Sequence, residues 1–218
     1  MDSSGLLEKL RLSNATKMVV AMFGVLIGFA GVEHGIFEVL QGNTIPEGIF
    51  VDAIGPDWRF WANASEPTLT LIPNFLVTGL VAIALGVIMI IWSTKFMERK
   101  YGTVIFFLIG IGLFLFGGGF APIFVTITAA AAATRINQPL NWWRAHLPGK
   151  RGLAKAYPAI LIVYAAIFFI AVGMQIFGSP LDVSMTTNLV WVFALAMLVM
   201  LPVTVIIGFA YDAIKLQK

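Results

Sequence analysis

Five apolar stretches, each longer than 20 residues, dominate the chain: 18–40, 67–94, 101–134, 156–181 and 183–211. Runs of 18 or more apolar residues are long enough to cross the hydrocarbon core of a bilayer as a helix. The pattern predicts an all-α integral membrane protein, a helical bundle with four full transmembrane spans at about 18–40, 68–94, 156–178 and 188–211. A 17-residue polar lead precedes the first stretch and no small-x-small cleavage pattern closes it, so a retained span is expected.

The third stretch is too long for one crossing. Its 34 residues would make a helix of ~51 Å against a hydrocarbon core of ~30 Å. Gly117, Gly118 and Gly119, followed by Pro122, mark where such a helix would break. Residues 103–134 are therefore expected to form a central broken or hairpin element, broken near 117–122, that enters and leaves on one side. Five ordinary spans, or one tilted helix running past Ala129–Ala133, are the alternatives.

Charge placement bears on that choice. Of the 14 Lys and Arg residues, 13 lie in four segments: the N-terminal tail, 95–100, 135–155 and the C-terminal tail. The positive-inside rule assigns all four to the cytoplasm. That places a multi-pass chain in the cell membrane with both termini cytoplasmic and connections 41–66 and 179–187 outside. Segments 95–100 and 135–155 share a side only if the stretch between them returns. The 41–66 connection carries Ile49, Phe50, Trp58, Phe60 and Trp61 among acids, as expected of an outer interfacial segment. Residues 135–155 form a basic inner counterpart, where Arg135, Trp142, Trp143 and Arg144 are expected to contact anionic lipid headgroups.

Composition narrows the function classes. The chain is 59% hydrophobic and 11% charged, against about 25% charged in soluble domains, which excludes a soluble or disordered protein. The absence of cysteine excludes thiol chemistry and cysteine-ligated metal centres. No lysine lies mid-span for a retinal, and nucleophile-elbow, zinc-protease and phosphate-loop motifs are all missing. A net charge of +3 reflects the topology signal, so no nucleic-acid partner is expected.

One polar cluster interrupts the first span. Gly24, Gly28, Gly31 and Gly35 fall within ~60° on a helix, a stripe that lets a neighbouring helix approach closely. His34 and Glu38, an i, i+4 pair, flank it, whereas Glu33 points roughly opposite, among Met22, Leu26, Phe29 and Phe37. An ionisable group at such depth costs at least ~2.5 kcal/mol and needs partners from other spans. Asn74, Thr78, Gln175, Asn188, Thr126 and Thr128 are the candidates.

Such a cluster fits a small-solute or cation transporter, or a subunit of one, with Glu33, His34, Glu38, Asn74 and Gln175 as the transport or ion site. So few spans make a thin wall, so transport would call for a homo-oligomer or a partner membrane subunit. A membrane-embedded enzyme acting on a lipid or hydrophobic substrate is the alternative, with a single metal ion held by His34 and Glu38, or His34 and Glu33, as the one cofactor to be considered. A non-catalytic anchor or scaffold is the third reading.

Overall fold

A computed structural model describes residues 14–215. In chain order the elements are α1 (Ala15–Leu40), β1 (Phe50–Asp52), β2 (Pro67–Leu69), α2 (Phe75–Lys95), α3 (Gly102–Leu115), α4 (Ala121–Ala133), α5 (Asn141–His146), α6 (Lys150–Phe177) and α7 (Val183–Lys215). Helices α1, α2, α6 and α7 are long and apolar enough to cross a membrane. The chain is an all-α membrane bundle of four such helices with a broken third stretch between them.

Helix α1 is the hub, packing on α2, α4, α6 and α7. Lipid tails are as apolar as leucine, so helices in a bilayer are held by close packing more than by water exclusion. The glycine stripe supplies that packing. A Cβ on Gly28 would lie 2.5 Å from the Gly86 carbonyl oxygen, and one on Gly86 would lie 2.5 Å from that of Gly28. Gly35 and Gly79 repeat the relation at 2.6 Å in both directions. Two seven-residue glycine pairs thus bring antiparallel backbones into direct contact. Gly24 and Gly31 make room for Phe106 and Leu113 of α3, both fully buried.

Between α3 and α4 the backbone turns back. Gly117 and Gly119 both have φ +89°, a conformation that glycine adopts without a Cβ clash, and Pro122 sits in the first turn of α4. Strand β2 supplies the acceptors for the turn. Gly117 N–H donates to the Leu69 carbonyl at 2.9 Å, and Gly119 N–H donates to the Thr68 hydroxyl at 3.0 Å. Gly110 of α3 packs on Thr126 of α4, so the two short helices run antiparallel. The feet of the hairpin meet near the start of α1. Asn137 donates to Glu98 at 2.7 Å and accepts from Asn14 at 3.0 Å, while Lys17 pairs with Glu98. The hydrogen bonds from Lys17 and Asn137 hold the Glu98 carboxyl below its ordinary range. The hairpin geometry follows from these contacts.

The second expected span begins later than 68, because residues 67–74 form β2 and a turn. Asn74 instead caps α2, its side chain accepting from Val77 N–H at 3.0 Å. The 41–66 connection also departs from a simple interfacial segment. Its aromatics Phe50 and Phe60 are exposed, but Ala53, Ile54 and Ala64 are fully buried against Phe37 and Ile176. The Asp52 carboxylate accepts from Ile54 N–H and Glu66 N–H at 3.1 and 2.7 Å, folding the segment over the Gln41 end of the bundle. At the other end, Asp212 of α7 accepts from Ala15 N–H and Thr16 N–H, both at 2.8 Å, and so caps α1.

Two outcomes follow. Gly28→Leu must push α1 from α2, at an overpacking cost of ~1–3 kcal/mol. The unfolding midpoint in detergent is expected to fall by at least ~2 °C; an unchanged midpoint would show that the stripe is not the contact. Single cysteines replacing Lys100 and Ala145, both exposed, are expected to react with an impermeant thiol label from the same side of a vesicle, and one replacing Glu47 from the opposite side. Positions 100 and 145 reacting from opposite sides would refute the hairpin.

Candidate functional site

The site lies where α1, the glycine turn and β2 meet. His34 packs its ring against Gly119, where a Cβ would come within 2.7 Å of Nε2. Its Nδ1 faces three oxygens: the Ala30 carbonyl at 3.0 Å, Glu33 Oε2 at 3.1 Å and Glu66 Oε2 at 2.9 Å. Glu33 is 9% exposed and Glu66 6%. Glu33 Oε1 has no hydrogen-bond partner, and neither does Glu66 Oε2, which lies close to Nδ1 but off the direction of an N–H bond. Among the described residues, Glu33, His34 and Glu66 form a group able to hold a metal ion. Glu66 stands outside the spanning helices. Burial alone would raise its carboxyl pKa, but the electrostatic influence of the adjacent His34 outweighs that and holds it below the ordinary range.

The group sits at the polar end of a cavity of about 580 Å³ between α1, α4, α6 and α7. Gln175, Asn63 and Ser65 complete the polar end. Deeper in, toward Leu26 and Leu201, the lining is apolar. Phe124 of α4 and Trp191, Leu195 and Leu198 of α7 also line the cavity, and all four are exposed. Part of the cavity wall is therefore accessible surface contributed by α4 and α7.

The residues expected at the site separate into two groups. Glu33, His34 and Gln175 are brought together; Gln175 accepts from Trp61 Nε1 through its carbonyl at 2.8 Å and donates through its side chain to the Ser65 carbonyl. Glu33 does lie opposite the glycine stripe, as helix geometry required, but that face meets the cavity. Glu38 does not line the cavity. It is fully buried behind Gly117, where a Cβ would overlap its carboxylate, and neither oxygen makes a hydrogen bond of good geometry. Of the two carboxylates expected as partners of His34 in a metal site, Glu33 converges with it and with Glu66, whereas Glu38 is not part of that group. Asn74 is a helix cap bonded to Asn43 at 2.5 Å and does not line the cavity. Thr78 bonds Thr70 at 2.6 Å, Thr126 packs on Gly110, and Thr128 donates to its own helix at 2.9 Å.

Glu66 was not foreseen as a site residue. It reads as one of four acids in an outer connection, and only the pairing of Phe50–Asp52 with Pro67–Leu69 carries it to His34. A weak signal existed: Thr68 and Thr70 alternate with apolar residues just after it, a strand pattern at the start of a supposed span. Of the expected headgroup contacts, Arg135 and Trp142 are exposed, while Trp143 packs on Phe209 with ring centroids 5.0 Å apart.

Gly119→Ala should incur two penalties, a left-handed backbone costing ~1–2 kcal/mol and a clash with the His34 ring. Removing the ring with His34→Ala relieves only the second. Unfolding free energies of the two single variants and the double variant are expected to be non-additive by at least ~0.5 kcal/mol; additivity would mean that the ring and the turn are not in contact.

Searches of protein-family models, curated proteins and solved structures return no match to this chain.

Proposed function

We propose that this protein takes a lipid-soluble molecule with a polar end out of the bilayer and holds that end at Glu33, His34 and Glu66, as a membrane-embedded enzyme or binding protein for a lipid or other hydrophobic substrate. The observation that carries this reading is the lining of the cavity: apolar along most of its length, polar at one end, and bounded by exposed apolar side chains of α4 and α7 that would meet lipid in a bilayer. Ligand sites are commonly concave and mostly apolar with a few convergent polar groups, and this cavity has that composition. Charge placement puts the Asn14 end in the cytoplasm and the polar end of the cavity in the outer leaflet. On the cytoplasmic side Arg135 and Arg144, with Lys215, line a separate hollow suited to anionic headgroups.

Transport of a small solute or cation is the second reading, favoured by the burial of Glu33, His34 and Glu66 in an otherwise apolar bundle. Against it, the route from His34 to the Asn14 end is filled by Phe23, Phe106, Leu113 and Tyr157, each fully buried. Alternating access would have to dismantle that core. A lateral site asks for no such rearrangement.

The test is photolabelling in nanodiscs with a diazirine-bearing acyl lipid. Adducts are expected to concentrate on peptides containing Phe124, Trp191 and Leu198, and Ala194→Trp, which fills the cavity, should reduce them several-fold. Adducts spread evenly over the exposed face of α2 as well, and indifferent to Ala194→Trp, would sink the reading.

A further inference from the structure

We propose that Glu33, His34 and Glu66 bind one divalent transition-metal ion, of the manganese, iron or zinc class, with its open coordination positions facing the cavity. Three observations converge. The donor atoms are spaced as ligands are: with metal–ligand bonds of about 2.0–2.2 Å, neighbouring donors stand roughly 3 Å apart, and Nδ1 lies 3.1 and 2.9 Å from the two carboxylate oxygens. A single Nδ1 proton cannot serve the Ala30 carbonyl and both carboxylates. That shortfall is visible in Glu33 Oε1 and Glu66 Oε2, both buried, at the cavity's polar end, and without a hydrogen bond. Thirdly, two carboxylates and a neutral imidazole around a divalent ion sum to zero charge, the condition that a site in hydrocarbon demands.

The ligand chemistry sets the class of ion. Carboxylates suit magnesium and manganese, and imidazole suits zinc and iron, so one imidazole with two carboxylates favours the overlap. The ligands come from two places that meet only in the folded chain. Glu33 and His34 are adjacent on α1, and Glu66 precedes β2, whose own hydrogen bonds to the glycine turn hold it there. Three protein ligands leave positions for a solvent molecule or for the polar end of a cavity ligand, which is the arrangement of a catalytic rather than a structural site. Only this last step rests on the cavity reading above; ion binding itself does not.

The experiment uses the full-length chain in nanodiscs, stripped with chelator and titrated in turn with Mn(II), Zn(II) and, without oxygen, Fe(II). One ion per chain is expected by elemental mass spectrometry after desalting. Glu66→Gln and His34→Ala should each weaken binding at least tenfold, whereas Glu38→Gln, outside the cavity, should not. Should the ligand variants fold poorly, the native protein still decides: bound Mn(II) should show pulsed-EPR coupling to one imidazole nitrogen. No stoichiometric ion with any of the three metals, a Mn(II) signal without nitrogen coupling, or undiminished binding in a folded Glu66→Gln would overturn the assignment. Lipid photolabelling that persists while ion binding fails would leave the cavity reading standing and remove only the metal.

Discussion

A broken helix inside a bilayer exposes peptide groups that no water can satisfy, and this chain meets that demand with strand β2. Gly117 and Gly119 donate to Leu69 and Thr68, so the turn between α3 and α4 is tied to a segment that would otherwise lie outside the membrane. An unpaired peptide group in hydrocarbon costs several kcal/mol, which makes these bonds a condition of the fold rather than an addition to it. The same strand pairing draws in Glu66, and with it the third member of the polar group. The break in the third stretch and the completion of the site are thus consequences of one set of hydrogen bonds.

How much of this was legible in the sequence varied with the range of the interaction. Helix α1, its stripe and its ionisable residues follow from local spacing, and the stripe does face α2. The three consecutive glycines with Pro122 announced the break, because a helix of that length cannot fit the membrane. What the periodicity could not show is which segment would satisfy the broken backbone. The pairing of β1 with β2 joins residues 50–52 to 67–69, and three-residue strands leave too little pattern to separate from the start of a span. Asn74 is instructive in the opposite sense. A polar residue at the head of a span suggests a buried partner, yet a cap at the helix start accounts for it fully.

The two carboxylates nearest His34 differ from Glu38 in what surrounds them. Glu33 and Glu66 face a cavity lined by α6 and α7, whereas Glu38 is sealed behind the glycine turn. The i, i+4 relation favoured Glu38, since both residues lie on one helical face. Nδ1 of His34, however, lies beside Glu33, Glu66 and the Ala30 carbonyl, while Gly119 packs on the Nε2 side of the ring. Glu66 reaches the ring from a distant segment, which helical spacing cannot show.

The position of the cavity also argues against a conduit. A conduit needs polar groups spaced along the membrane normal, as in proton relays. Here Glu33, His34, Glu38 and Glu66 collect at the Gln41 end, while the Asn14 half of α1 is packed on large apolar side chains and capped by the buried Asp212. Helix α1 is therefore capped at one end and carries Glu33, His34 and Glu38 toward the other. A molecule reaching the polar group from the bilayer would pass Phe124, Leu195 and Leu198, side chains that resemble the lipid it leaves. Little desolvation of the apolar portion would then oppose its arrival, and selectivity would fall to the few polar atoms at the closed end.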